Sequence, residues 1–320
     1  MKKIGVLYGG WSHETDQIVT YPFVVNSIKE LGFDYKLFDV TKDNFIANLK
    51  KYNPQLVFIT NQGAYGEDGK LQGLLEYLDI PYTGSGVCAS AVGMNKYISK
   101  LVFESLQLNT PKYIYLSVNN SLDYSSIVKR LSTPFILKPI MAGSSYGVKL
   151  IEDEENYLKT CDKTLIEFGD CLLEEFIDGN QIEYSTGILE DDCDLYALPI
   201  CKSVLNEKIY SHNCKFDNSC NVKYLDPILD DNIKNEMLSI AYNIHTKIGC
   251  SGLSRTDMIL DKNNKIYVLE YNSIPGLLPT SIFPQICKHI GISYTKMVEM
   301  LINNTTKGKR MEISKLQKYK

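Results

Sequence analysis

The sequence predicts an α/β protein that begins with an open, mostly parallel sheet. Short apolar runs at the amino end alternate with segments of helical periodicity, which is the pattern of a parallel sheet. After Pro111 the pattern changes to closely spaced strands with short helices between them. At roughly 150 residues per domain, 320 residues allow about two domains, each long enough to bury a core. No stretch reaches the ~18 apolar residues of a membrane span, and Met1-Lys2-Lys3 runs straight into IGVLYGG, too short and glycine-rich for a signal peptide. A cytoplasmic protein with no membrane partner is expected. The 34 basic against 38 acidic residues give a net charge of -4, the wrong sign for a surface that grips nucleic acid, so small-molecule partners are expected. Nine scattered cysteines without a CxxC pair read as reduced packing residues. Only Arg130, Arg255 and Arg310 are arginine, so an arginine inside an apolar strand is a candidate for function.

In chain order, KKIGVLY is a strand ending at Gly9-Gly10. A helix over Thr20 to Leu31 follows, with Thr20 as N-cap, Pro22 in its first turn and Gly32 as C-cap. DYKLFDV and QLVFITN are strands, Lys70 to Leu78 a helix, and IPYTG a strand that closes the unit. Ligands should gather at the carboxyl ends of these strands. A helical stretch near 90 to 106 precedes a second unit with strands YIYLS, FILKPI, VKLIE and LLEEFI. A third stretch has long strands from Gln181 and Leu195, a polar segment over 205 to 223, and a helix ending at Gly249. Two strands, SRTDMILD and KIYVLEYN, a proline-glycine loop and a last helix complete the chain, with fraying expected from Asn303.

The last two strands form a hairpin. If Asn263-Asn264 is a two-residue turn, Asp257 faces Glu270 and Arg255 faces Asn272, and the twofold side-chain period puts all four on one face. Met258, Leu260, Tyr267, Leu269 and Tyr271 then share the other face. Two carboxylates and an amide oxygen among apolar strands are costly to bury unless a hard divalent cation, Mg²⁺ or Mn²⁺, is held there. The competing reading is a solvated edge strand with an Arg-Asp pair, and a three-residue loop would shift the register. The following Asn272-Ser273-Ile274-Pro275-Gly276 and Thr280-Ser281 can present N–H groups and hydroxyls to developing negative charge, or simply turn the chain.

FILKPIMAGSSYGVKL places Lys138 in a strand ahead of Gly143-Ser144-Ser145-Tyr146-Gly147. That arrangement suits a phosphate, though a hairpin with a snorkelling lysine explains it equally. Lys96 and Lys100 stand at i, i+4, where a solvated helix face is the default. Glu67 and Asp68 open the helix from Lys70 and can complement its dipole. Glu14 lies near the carboxyl edge of the first sheet, suited to an ammonium group or to a helix start.

GGxSxE at 9–14, GEDGxxQGLLExxxIPYTGSG at 66–86, KPxxxGSSxGV at 138–148, RxD at 255–257 and ExNxxPGxxxxSxxP at 270–284 occur in one order. Together they resemble the D-alanine:D-alanine ligase family of the ATP-grasp superfamily over about residues 4 to 302. The resemblance implies a three-domain ATP-grasp ligase, with an amino-terminal domain (1–95), a central domain (96–181), a carboxyl-terminal domain with metal site and lid loop (182–312), and a tail (313–320). It implies ATP and two Mg²⁺ (or Mn²⁺) ions, amino acid substrates, a homodimer, and ATP-dependent joining of two D-alanines through an acyl phosphate for peptidoglycan precursors. Residue by residue, Asp257, Glu270 and Asn272 match the metal ligands. Lys96, Lys138 and Lys215 match phosphate-binding lysines, with Ser145 in the phosphate loop, and Glu174 and Ile177 match adenine-edge positions. Glu14 matches the carboxylate that holds the first substrate's ammonium group. Ser144 matches a serine of the acceptor region, Ser281 the hydroxyl that receives the second substrate's carboxylate, and Arg255 and Gly276 the oxyanion stabilisers. The segment 205–223 matches the family's mobile lid.

The departures cluster near substrate. A family histidine is Gln62, an aspartate is Asn95, an acidic residue is Ala142, a hydrophobic-serine pair is Gln17-Ile18, and a ribose-contacting glutamate is Gln181. The lid's tyrosine is Phe216, a residue that resembles ligases accepting a hydroxy acid. Three expectations follow: a D-alanine ligase, a paralogue joining other partners such as D-alanine with D-lactate, and a nucleotide-binding protein without ligase activity.

Overall fold

The computed structural model describes residues 2–12, 19–119, 122–191, 194–209 and 221–306. Strands β1 (Lys3–Tyr8), β2 (Asp34–Asp39) and β3 (Leu56–Ile59) pair in parallel in the order β2-β1-β3. β1 and β3 are apolar on both faces because helices cover both. Helix α1 (Tyr21–Glu30) starts after Thr20 with Pro22 in its first turn, and Gly32 behind it takes φ +72. Two expectations change. Helix α2 (Phe45–Tyr52) joins β2 to β3; its buried stripe is only Phe45 and Leu49, one turn apart, too short to read as a period. IPYTG supplies a single parallel bridge, Val57 to Tyr82, and no strand, since Pro81 has no N–H to extend the ladder and Gly84 turns away at φ +87.

After α3 (Lys70–Tyr77), the stretch expected as one helix is two, α4 (Val87–Met94) and α5 (Lys96–Ser105). The chain is extended at Asn95, whose Oδ1 accepts the Ile98 N–H as the N-cap of α5. This departure from the family aspartate keeps the capping acceptor.

A four-stranded antiparallel sheet follows, in the order β4 (Tyr113–Leu116), β7 (Cys171–Glu175), β5 (Phe135–Pro139), β6 (Lys149–Ile151). The helices α6 (Tyr124–Leu131) and α7 (Glu154–Phe168) bury Ile127, Leu131, Tyr157, Cys161 and Leu165 against it. The larger sheet has the order β11 (Asn221–Leu225), β10 (Cys201–Leu205), β8 (Ile182–Asp191), β12 (Leu253–Leu260), β13 (Ile266–Asn272), with β9 (Asp194–Ala197) also on β8. The strand expected from Leu195 is therefore two, separated around Pro199. Helix Asp231–Ile248, capped by Asp230 and closed by Gly249 at φ +79, backs this sheet with Met237, Ile240 and Ile244.

The last helix is also two, Ile282–His289 and Tyr294–Thr306, parted at Gly291 with φ +84. Met297 and Leu301 of the second pack with Ile4, Val6, Val24 and Ile28, so the carboxyl-terminal helices close one face of the first sheet. That packing sets the loop 273–281 over the mouth of the larger sheet.

Candidate active site

A cavity of about 360 Å³ opens between the two antiparallel sheets. One wall carries Lys138, Glu174 and Ile177, and the other Ser185, Arg255, Asp257, Glu270 and Asn272. The loops contribute Gly143, Ser144, Ser145, Gly276 and Ser281, and Lys96 lies at the edge. Twelve of the fifteen sequence-predicted site residues thus line one space. Glu14, Lys215 and Phe216, with Gln17-Ile18, lie outside the described residues.

The hairpin reaches the expected pairing by an unexpected route. Its loop is three residues long: Asp261 N–H bonds Lys265 O, Asn264 N–H bonds Asp261 O, and Asn264 sits at φ +62. Met258 therefore faces Val268, one step out of the register that a two-residue turn gives. A bulge between Asp257 and Met258 takes up the extra residue, and beyond it Asp257 faces Glu270 and Arg255 faces Asn272. The bulge also corrects the facing residues. Leu269 turns to the cavity beside Glu270 and Tyr267 pairs with Ile259, while Ile266 and Val268 enter the core with Met258 and Tyr271.

β12 lies between β8 and β13, and Asp257 is buried, so this is no solvated edge. The Arg-Asp pair is present all the same. Arg255 Nε and a terminal nitrogen each donate to Asp257 at 2.8 Å, Ser185 Oγ donates at 2.7 Å, and Asn272 Nδ2 at 3.2 Å. Glu270 stands 3.5 Å from Lys96 Nζ. Two carboxylates and an amide on one wall form an all-oxygen donor set that fits a hard divalent cation, and Arg255 and Lys96 bring positive charge to the same carboxylates.

On the opposite wall Lys138 Nζ bonds Glu174 Oε1 at 2.6 Å, and Lys100 Nζ reaches Glu174 Oε2 at 2.5 Å. Lys100 is fully buried, so its helical spacing from Lys96 does not mark a solvated face. The Glu174 carboxyl would be pushed up by burial, but the two ammonium groups outweigh that and hold it below the usual carboxylate range. Burial pulls Lys100 down to about 8 against the pull of Glu174. Beyond Lys138, Ser144 and Ser145 take φ +48 and +55, an uncommon pair for residues with side chains, and Gly147 takes φ +77. A Cβ on Gly147 would lie 2.7 Å from Pro139 and 2.9 Å from Phe168, so only glycine lets the loop fold back here. Lys96 Nζ donates to Ala142 O at 2.6 Å, which ties this loop to α5.

Two further edges shape the cavity. Gln62, just past β3, is buried, and its Nε2 donor has no hydrogen-bond partner among the described residues. Glu67 Oε2 accepts the Gly63 N–H and lines the cavity, whereas Asp68 accepts the Tyr65 and Lys70 N–H groups and organises the loop. Ser281 precedes helix Ile282–His289 but makes no side-chain cap, and a Cβ on Gly276 would stand 3.1 Å from its Oγ. The serine hydroxyl and the Gly276 backbone therefore share one spot at a helix N-terminus, which favours an anion.

Gln181 is a correction. It is exposed and does not line the cavity, because Asn180 and Gln181 both take positive φ and break the alternation before β8 begins. Glu183 takes the inward place instead. Glu183 and Lys223 flank Ser203 on three adjacent strands, a row that the twofold alternation of each strand signals once the pairing is known. Lys223 is pulled down by burial. Among the described residues the lining holds five cations (Lys96, Lys138, Lys208, Lys223, Arg255) and six carboxylates (Glu67, Glu174, Glu175, Glu183, Asp257, Glu270). Such a balance suits a polyphosphate that arrives with its divalent cations better than a bare anion.

The family model described as D-ala D-ala ligase C-terminus matches residues 102–303, and that described as D-ala D-ala ligase N-terminus matches 36–85. A D-alanine--D-alanine ligase of Wolbachia sp. subsp. Drosophila simulans is 35% identical over 320 residues, covering 99% of this chain and 98% of the relative. One from Carboxydothermus hydrogenoformans is 31% identical over 314 residues, covering 96% and 99%. The crystal structure of the Bacillus anthracis D-alanine--D-alanine ligase complexed with ATP superposes with a TM-score of 0.83 at 25% identity, covering 96% of this chain and 98% of that one.

Proposed function

The chain belongs to the D-alanine–D-alanine ligase family, and on that premise we propose that its cavity joins two D-alanines with ATP, releasing ADP and phosphate. The observation that carries the reading is the pair of facing walls, with oxygen donors on β12–β13 opposite lysines on β5 and α5 across the Gly143–Ser145 loop. Asp257, Glu270 and Asn272 would hold two Mg²⁺ or Mn²⁺ ions, which when bound neutralise polyphosphate charge.

A carboxylate is a poor electrophile, so the first D-alanine is activated by taking the γ-phosphoryl group on one carboxylate oxygen. Lys96, Lys138 and Lys215 spread the transferred charge, with Ser144 and Ser145 beside it, while Glu174 and Ile177 border the adenine. Glu14 holds the first ammonium group. The orphan amide N–H of Gln62 is a donor for this substrate's polar end, and it cannot titrate as the family histidine can. Ser281, at its helix N-terminus, receives the carboxylate of the second D-alanine. That substrate's neutral amine attacks the acyl phosphate carbon, the oxyanion forms against Arg255 and the Gly276 N–H, and phosphate leaves with the carboxylate oxygen and the proton the amine gives up. Water has to be kept out until then, a task for the segment 205–223. We place the reaction in the cytoplasm, as a step toward peptidoglycan precursors, in a homodimer.

The test is ADP release with Mg²⁺ and ATP over a panel of D- and L-amino acids and 2-hydroxy acids. Release only with D-alanine, one dipeptide per ADP, is expected. Ester formation with D-lactate would favour the depsipeptide reading raised by Phe216, and nucleotide binding without ADP release would favour a binder.

A further inference from the structure

Lys100 was expected on a solvated face and lines no part of the cavity, yet it is wholly buried and its ammonium group makes one ion pair and two hydrogen bonds. They reach Glu174 Oε2 at 2.5 Å, Thr110 Oγ1 at 2.7 Å and Pro111 O at 3.2 Å, and the ammonium group stands 5.3 Å from the centre of the Tyr113 ring. Thr110 passes the connection on to Val268 O in β13. Glu174 is the carboxylate that binds Lys138, and Lys138 faces the cavity.

Charge decides what the arrangement does. Were Glu174 paired with Lys138 alone, the two would sum to zero, and the cation directed at a phosphate would be cancelled in a region where water screens it poorly. With Lys100 behind it, the triad sums to +1, and the carboxylate can fix Lys138 in place without neutralising it. We propose that Lys100 is a positioning residue that supplies the charge on Glu174 from behind, so that Lys138 presents an uncancelled cation to the phosphates of the nucleotide. The inference rests on the reading of the cavity as a nucleotide site. It assigns Lys100 no contact with substrate.

The experiment is calorimetric titration of the full-length protein with ADP–Mg²⁺ and with inorganic triphosphate, which has no adenine and so reports the charge alone, alongside the KM for ATP and kcat. Lys100→Met should weaken both ligands by about tenfold or more and raise KM for ATP, with kcat at saturating ATP changed much less. Lys100→Arg should recover most of the affinity. The deciding variant is Lys100→Met/Glu174→Gln, which removes a cation and an anion together and restores the +1; triphosphate affinity should return to within about threefold of the original chain. Glu174→Gln alone, which leaves two lysines, should bind triphosphate more tightly than the original, and this holds the proposal to account even where Lys100→Met does not fold. Unchanged affinity in Lys100→Met, no recovery in the double variant, or weaker triphosphate binding in Glu174→Gln each overturn the proposal. Failure of the unsubstituted chain to bind ADP–Mg²⁺ would instead overturn the nucleotide-site reading.

Discussion

On the β12–β13 wall of the cavity two carboxylates, Asp257 and Glu270, are served by Arg255 and, at 3.5 Å, Lys96. On the β5–β7 wall the charges are unequal, for two lysines share the single carboxylate of Glu174. The first wall has no net charge, and its oxygen donors can take a cation only together with an anion, whereas the second keeps a positive surplus for an anion. A polyphosphate carrying divalent cations satisfies both at once, and neither wall alone selects it. The walls also differ in how they are held. The first relies on backbone register, through a loop and a compensating bulge, whereas the second relies on a buried side-chain triad.

The largest expected effect breaks the first wall. Arg255→Ala should lower kcat by about 10²–10³-fold in an ADP-release assay, the usual cost of losing an oxyanion donor. Arg255→Lys should recover part of it, because an ammonium cannot reproduce the two parallel bonds to Asp257. Near-normal turnover in Arg255→Ala would remove the residue from this role. Next, Glu270→Gln should raise the Mg²⁺ concentration for half-maximal activity by at least the ~10–100-fold that even outer-shell substitutions cost, with a chelator abolishing turnover of the unsubstituted chain.

A smaller effect sharpens the contrast from the second wall. Lys100 faces Glu174 of β7, Lys138 of β5, Glu104 of its own helix and Tyr113 of β4, and burial lowers its pKa to about 8. Above about pH 8 the native protein sheds this proton, so nucleotide affinity should fall there while Lys100→Arg stays flat. Stability moves the opposite way. Between about pH 8 and the ordinary 10.5 the unfolded chain binds more protons than the native one, so this group's unfavourable contribution, fully present below pH 8, is relieved as pH rises through that window. An affinity that does not change between pH 7 and 9.5 would contradict the assignment. Smallest of all, Asn95→Ala should cost about 1 kcal/mol of stability in denaturant unfolding through the lost α5 cap, with KM for ATP little altered.

What the sequence made legible, and what it hid, follows the same division. Strand alternation brought Arg255, Asp257, Glu270 and Asn272 to one face before any coordinates. The assumed turn length was wrong, but the bulge restored the pairing near the site while swapping Tyr267 and Leu269 for Ile266 and Val268 nearer the turn. The Gly143–Gly147 loop was readable as a turn between two strands, which β5 and β6 form, whereas its place toward phosphate came only from the resemblance. Lys100 was not readable, because helical spacing cannot say which face a neighbouring sheet covers. Gln181, placed by the resemblance alone, is exposed and away from the cavity, where two residues with positive φ precede β8 and Glu183 takes the inward position. Helix α2 was missed since two apolar residues make no period.

The measurement that bears most directly on the central claim is the fate of the carboxylate oxygen. With D-alanine labelled with ¹⁸O in its carboxylate, ATP and Mg²⁺, activation through an acyl phosphate predicts that the phosphate released carries one ¹⁸O for each D-alanyl-D-alanine formed. Dipeptide formation with unlabelled phosphate would contradict it.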